Sequence, residues 1–294
     1  MSDSSHLDTL QAISQGFANI VATAGRSVVS VHAHRAQASG FVWRPGFVVT
    51  ADEALADEGE IAISAADGGT LSATLAGRDA TTDIALYRVD RTDIPVVQMT
   101  RDAVSAGSLA IVVGAQQGSP TATLGIVSLA GAGWRSSRGG EIGARIELDA
   151  APRASAEGGV ALDAGGRAFG MVVFGPRRKV LVIPAATIDR VAEKLSTHGR
   201  IARGYLGLGL HPVKTADGNV GAMVMSVDAK GPAAAAGMRQ GDVIVGWDDH
   251  PLHGLRALVG ALGPDSVGSV VRLSARCRGE PAEVAVTIGE RPDA

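Results

Sequence analysis

The sequence predicts a mainly β protein: two small β-barrels packed together, closed by a helix and followed by a separate α+β domain. Three observations carry this. The 294 residues are 46% hydrophobic but only 3% aromatic, with 39 glycines, a mix that suits many short strands and tight turns around a core of Val, Ile and Ala. Short runs rich in β-branched residues, bounded by Gly, Asp and Pro, recur from Ser27 to Pro184. The pattern then passes through a helical stretch and restarts after Arg200.

The elements follow in order. Leu7, Leu10, Ile13, Phe17, Ile20 and Val21 are spaced by threes and fours, which predicts an amphipathic helix over residues 7 to 25. Its apolar stripe packs on its own domain or joins copies of the chain. From Ser27 the period becomes that of strands: SVVSVHA, GFVWRPGFVVTA, EIAISA, LSATLAGRD and DIALYRVD. A second series follows: LAIVVGA, TATLGIVSLAG, ARIELDA, GGVALDAGGRAFGMVVFG and KVLVIPA, with DAGGR as a turn between two strands. Two series of about six strands each predict two small barrels. ATIDRVAEKLSTHGR then has helical spacing through Ile188, Val191 and Leu195.

The remainder reads as strands ARGYLGLGLHPV and AMVMSVDAKG, and a helix, turn and strand in GPAAAAGMRQGDVIVGWDDHPL. A second helix, LHGLRALVGALG, and a closing hairpin, SVVRLSARCRG with PAEVAVTIGERP, complete it. The expected organisation is a helix over 1–26, two barrels over 27–198 and the α+β domain over 199–294.

Charge and cysteine content remove several function classes. The formal net charge of -3 gives no global basic field, which argues against nucleic acid as a partner. Arg177, Arg178 and Lys179 form the one basic run, read as a solvated hairpin tip. Cys277 is the single cysteine, so an internal disulfide and a multi-cysteine zinc site are out. The first residues, MSDSSHLDTLQAISQGFANIV, lack a basic stretch followed by an apolar core, and no run reaches the roughly 20 apolar residues that span a bilayer. On these grounds the sequence as written predicts a cytoplasmic protein; with a start further upstream, the periplasm is the alternative. His32 and His34 share one face of the strand VSVHAHR at a spacing that suits metal, but an ordinary pair of strand histidines explains them as well.

Taken in order, GFVVTADEAL, DATTDIALYRVD, VVGAQQGSPTATLGIVSLAG, LDAAPRASAEGGVALDAGGRAFGMVV, VIPAATIDRVAEKL, ARGYLGLGL and GPAAAAGMRQGDVIVGWDDHPL resemble the Deg/HtrA proteins. The likeness runs from about residue 14 to 291. It implies a chymotrypsin/trypsin-like double six-stranded β-barrel followed by a C-terminal PDZ domain. In active members of that family a His stands in the first motif, an Asp precedes I-A-[VL], and a Ser sits in G-N-S-G-G. Here the His position is Glu53, the Asp position is Asp83 and the Ser position is Glu157, while Ser155 replaces the glycine that opens the turn.

That departure changes the chemistry the resemblance implies. Acyl transfer needs a hydroxyl or thiol nucleophile, a base and a group that orients the base. Glu157 has no hydroxyl, and Ser39 and Ser155 stand at no nucleophile position. The N–H groups of Ser155 and Glu157 occupy the place of the family's oxyanion hole, and a serine at 155 disfavours a turn that needs positive φ there. If Glu53, Asp83 and Glu157 converge, one of them holds a proton near neutral pH or the three bind a divalent cation; the plainer expectation is that Glu53 or Glu157 turns to solvent or pairs with Arg153.

The PDZ part keeps its equipment. The resemblance makes Tyr205, Leu206, Gly207 and Leu208 a loop that holds a terminal carboxylate, with Leu255, Leu258 and Val259 lining a pocket for an apolar C-terminal residue. Three functions follow: a catalytically inactive scaffold that captures protein C-termini or unfolded segments, alone, as a homo-oligomer or with an active homologue; a divergent serine endopeptidase; and a chaperone-like holdase. No cofactor is implied.

Overall fold

The structure is a computed structural model that describes residues 2–33, 36–55, 61–215, 218–263 and 266–292. The chain divides into two compact units, Met1–Arg200 and Ile201–Ala294, so the joint lies two residues beyond the expected one.

The first unit begins with the helix Ser2–Gly25. Its apolar stripe is divided. Leu7, Leu10 and Ile13 are exposed, at 66%, 65% and 49%, whereas Phe17, Ile20 and Val21 are half-buried. Packing on its own domain therefore accounts only for the end of the helix, where Gly25 is buried against Pro120.

Seven strands then form one antiparallel sheet in the order Thr70–Leu71, Ala62–Ser64, Val28–Ala33, Ala36–Arg44, Phe47–Thr50, Ile84–Val89 and Ala73–Asp79. This first lobe uses one strand more than the sequence pattern indicates, because Thr70–Leu71 is too short to show a period. Six later strands close into a barrel: Arg145–Asp149, Val180–Pro184, Ala168–Phe174, Val160–Leu162, Leu109–Gln116 and Ser119–Gly131. Its core gathers Val112, Val127, Ile146, Phe169, Val172 and Val182.

The run LAIVVGA is buried from Ala110 to Ala115, as suits a strand covered on both faces. The turn in DAGGR forms around the Asp163 side chain, whose carboxylate accepts the N–H groups of Gly165 and Arg167. The helix Ala185–His198 buries Ile188, Val191 and Leu195 and stops at Gly199, which takes the left-handed conformation at φ +73°. Arg177 and Arg178 are exposed in a short turn, as expected of a hairpin tip.

In the second unit the strand order is Leu208–Lys214, Val220–Val227, Val243–Trp247, Val270–Cys277 and Glu280–Thr287. A two-stranded ribbon pairs Gly204–Tyr205 with Gly289–Glu290. Leu206, Val224, Ile244, Leu258, Leu273 and Val286 form the core, joined by the helices Pro232–Ala235 and Leu255–Ala261. Cys277 ends a strand and is half-buried, an ordinary sheet position. Among the described residues, no helix is long and apolar enough to cross a membrane.

Candidate functional site

In the first unit, ASAEGG folds as a tight turn bolted between the two β lobes. Ala154–Ala156 make one turn of 3-10 helix; the N–H of Ala156 donates to Arg153 O (3.0 Å) and that of Glu157 to Ala154 O (3.2 Å). The left-handed residue is Gly158, at φ +80°, and Ser155 needs no positive φ. A side chain at Gly158 has no room, since a Cβ there would stand 2.2 Å from Ser39 O. Ser39 acts as the clasp. Its N–H donates to Glu157 O (2.7 Å) and its hydroxyl to Ser155 O (2.6 Å), while it accepts from the Ala115 N–H (2.8 Å).

Two consequences bear on chemistry. The N–H of Glu157, expected at an oxyanion hole, is engaged inside the turn. Ser155 Oγ is buried and has no hydrogen-bond partner, so no base stands ready to take its proton.

Asp83 comes to this region from the turn D-A-T-T-D. Asp79 organises that turn by accepting from the Thr81 N–H and from the Thr81 and Thr82 hydroxyls, and Asp83 then adopts φ +59°, which aspartate tolerates. Its Oδ1 accepts the backbone N–H of Glu53 at 2.7 Å. Burial is the main cause that pushes the Asp83 carboxyl from 3.8 to about 7; the hydrogen bond from Glu53 opposes this, and the charges of Glu53, Glu157 and Asp52 reinforce it. Burial also raises Glu157, helped by the charge of Glu53 and opposed by a backbone hydrogen bond from Phe174 and by Arg178. The charges of these acids thus raise one another's carboxyls, and the strongest push toward the neutral form falls on Asp83.

Glu53 pairs with Arg138 rather than with Arg153. The Arg138 guanidinium lies 3.2 Å from Glu53 Oε1 and donates to Ala80 O at 3.1 Å. Sequence spacing gave no hint of this, because Arg138 arrives on a hairpin in which Trp134 pairs with Ile142. Glu53, Asp83 and Arg138 line a cavity of about 490 Å3. Among the described residues, no group of three or more His, Cys, Asp or Glu side chains is placed to hold a metal ion. His32 lies opposite Gln37 in the sheet, and His34 falls outside the described residues.

The raised Asp83 carboxyl has a measurable consequence. Its folded value lies above its unfolded value, so the folded state binds more protons between about pH 4 and 7, and stability falls as pH rises through that window. The upper limit of the effect is about 4 kcal/mol. Thermal melting should give a higher Tm at pH 5 than at pH 8, and Asp83→Asn should flatten that difference; an unchanged slope in the variant would assign the proton elsewhere.

The second unit supplies a groove. Leu208–Lys214 is an edge strand, hydrogen-bonded on one side to Val220–Val227. Facing it is the helix Leu255–Ala261, and a cavity of about 290 Å3 between them is lined by Tyr205, Leu206, Gly207, Leu208, Leu255, Leu258 and Val259. Every groove residue expected from sequence therefore comes together. Leu206 and Leu258 are also core, while Val259 is 48% exposed. Gly207 takes φ +77°, and a Cβ there would meet Gly231 Cα at 2.9 Å.

Sequence reasoning missed Leu210, Leu262, Arg203 and Arg291, which also line the groove. Leu210 was within reach, two residues beyond Leu208 on the same strand face, as was Leu262, one helical turn past Leu258. Arg291 was not. It is brought in by its N–H bond to Arg203 O (2.8 Å).

A trypsin-like β fold with a PDZ-type groove defines a class of proteins, and comparison with known proteins agrees. Residues 38–171 match the trypsin-like peptidase domain and residues 204–288 the PDZ domain. A probable periplasmic serine endoprotease, DegP-like, from Bartonella henselae is 29% identical over 97% of this chain and 59% of its own length. Its counterpart from Brucella suis is 31% identical over 88% of this chain and 53% of its own. The chain thus spans little more than half the length of these curated relatives. The serine endoprotease of Yersinia pestis superposes with a TM-score of 0.73 at 24% identity, covering 94% of this chain and 98% of that one. The HtrA-type protease AlgW with a decapeptide gives 0.73 at 22% identity over 95% and 99%. The chain belongs to the Deg/HtrA family.

Proposed function

We propose that this chain is a non-hydrolysing member of its family that holds polypeptides by their C-termini in the groove of its second unit. The observation that supports this reading most is at the ASAEGG turn, where the nucleophile position is Glu157 and the base position is Glu53. Glu53 is held in an ion pair with Arg138. The one buried hydroxyl of the turn, Ser155 Oγ, lacks a partner. Loss of both a nucleophile and its base removes orders of magnitude of rate.

Binding draws support from the groove. An incoming chain end adds a strand beside Leu208–Lys214, its last side chain enters the aliphatic cavity, and the backbone around Gly207 meets its carboxylate.

A second reading, a divergent endopeptidase working through other residues, is favoured by the names of the relatives, which are serine endoproteases. The same names support a periplasmic location in place of the cytoplasmic one expected from the N-terminal residues. Assembly into homo-oligomers, or with an active homologue, and holdase activity remain secondary parts of the proposal, and the exposed residues Leu7, Leu10 and Ile13 are where assembly would act.

One experiment separates the two main readings. A peptide with a free, apolar C-terminal residue should bind and be recovered whole, and its C-terminal amide should bind at least about tenfold more weakly. Recovery of cleaved peptide would favour the endopeptidase.

A further inference from the structure

A proline stands in the edge strand that the second unit offers to a chain end. Leu208–Lys214 pairs on one side with Val220–Val227, and Pro212 lies opposite Ala222. Proline has no N–H to give, so a sheet tolerates it where that group would point away from the neighbouring strand. The surrounding hydrogen bonds agree with that orientation. Val224, opposite Leu210, spends its N–H on Asp242 O (2.8 Å) and its carbonyl on the Gly241 N–H (2.9 Å), both away from this strand. Gly207 turns its carbonyl inward, where it accepts the Asp228 N–H (2.8 Å). Backbone groups alternate in direction along an antiparallel strand. Those of Leu208, Leu210 and Pro212 therefore face the open edge.

A ligand strand running antiparallel along this edge exchanges two bonds with each residue it faces in this way. Leu208 and Leu210 supply a donor and an acceptor each, whereas Pro212 supplies an acceptor alone. With the last ligand residue opposite Leu208, the third from the end faces Leu210 and the fifth from the end faces Pro212. The carbonyl of that fifth residue meets no donor. The opposite wall stops at the same place. Leu255–Ala261 has seven residues. That is about 10 Å of helix, enough to flank about three residues of extended chain. On the strand, Leu208 and Leu210 line the cavity, while Pro212 is exposed and lies outside it.

We infer that Pro212 sets the length of the ligand: it ends strand pairing before the fifth residue from the chain end, so the groove grips the last three residues whatever precedes them. The inference rests on the reading of the groove as a C-terminal site. Beyond the cavity and with half of its bonds missing, a fifth residue returns little more than the cost of ordering it. The partner is then any protein with a short apolar tail, folded or unfolded up to its last few residues.

The test uses the full chain and acetylated peptides that end in Ala-Leu-Val with a free carboxylate and grow by alanines from three to eight residues. Calorimetry should show parent affinities that differ by less than about threefold across the series, the worth of one weak net hydrogen bond. Pro212→Ala restores the N–H, so peptides of five or more residues should bind that variant about three- to tenfold more tightly than the parent, while the tripeptide binds both alike. Pro212→Val, which suits a strand better, should behave in the same way. A parent affinity that climbs tenfold or more with length, or two variants that show no gain for the longer peptides, would overturn the role of Pro212 and leave C-terminal capture standing. No binding at any length would remove both.

Discussion

Glu53→His combined with Glu157→Ser is expected to give a turn that reacts slowly with a fluorophosphonate at position 157. Adding Ser155→Gly is expected to raise that rate at least about tenfold. Asp83 Oδ1 already accepts the N–H of residue 53 and so lies close to a side chain placed there. A histidine at 53 would find its orienting acid in place, and a serine at 157 would find a base. The double change also removes two carboxylates whose charges help to raise the Asp83 carboxyl. The remaining obstacle is the turn, in which the Glu157 N–H is tied to Ala154 O. Glycine at 155 frees the backbone to open there, and one oxyanion-hole donor is worth about 100- to 1,000-fold in rate. A triple variant that labels no faster than the parent would mean that residues 53, 83 and 157 do not form the remains of a hydrolytic site.

In the second unit the largest expected effect is on binding. Val259→Glu should weaken capture of an apolar C-terminal peptide by at least about 30-fold while leaving Tm within a few degrees. Val259 lines the groove and is 48% exposed, so a carboxylate there costs the fold little. In the complex it meets both the buried apolar side chain and the like-charged terminus, a combination worth about 2 kcal/mol or more. Gly207→Trp would be a poor choice for this purpose. Its positive φ and the nearness of Gly231 Cα mean that a side chain at 207 disturbs the fold as well as the groove. Unaltered affinity in Val259→Glu, measured by calorimetry, would move the ligand away from this helix.

The two halves of the chain were legible to different degrees. Strand positions followed from local period: LAIVVGA, DIALYRV and SARC all form the elements their alternation or apolar runs indicate. The groove was legible through the resemblance rather than through period: Leu206, Leu208, Leu255 and Val259 line one cavity in the second unit. What escaped was set by tertiary contact. Arg138 reaches Glu53 from a hairpin 85 positions along the chain, the clasp at Ser39 meets the turn at Ser155 and Glu157, and the seventh strand of the first lobe is two residues long. None of these has a local signature. Asp83 shows both sides of this: the acid was evident beside Ile84 and Ala85, while the upward shift of its carboxyl depends on burial and on partners distant in sequence.

The measurement that bears most directly on the account is exposure of the unmodified chain to a fluorophosphonate probe together with unfolded casein, followed by intact-mass analysis of both proteins. The chain is expected to keep its mass and the casein to stay undigested after prolonged incubation. A single labelled serine, with casein fragments that disappear when that serine is replaced by alanine, would contradict it.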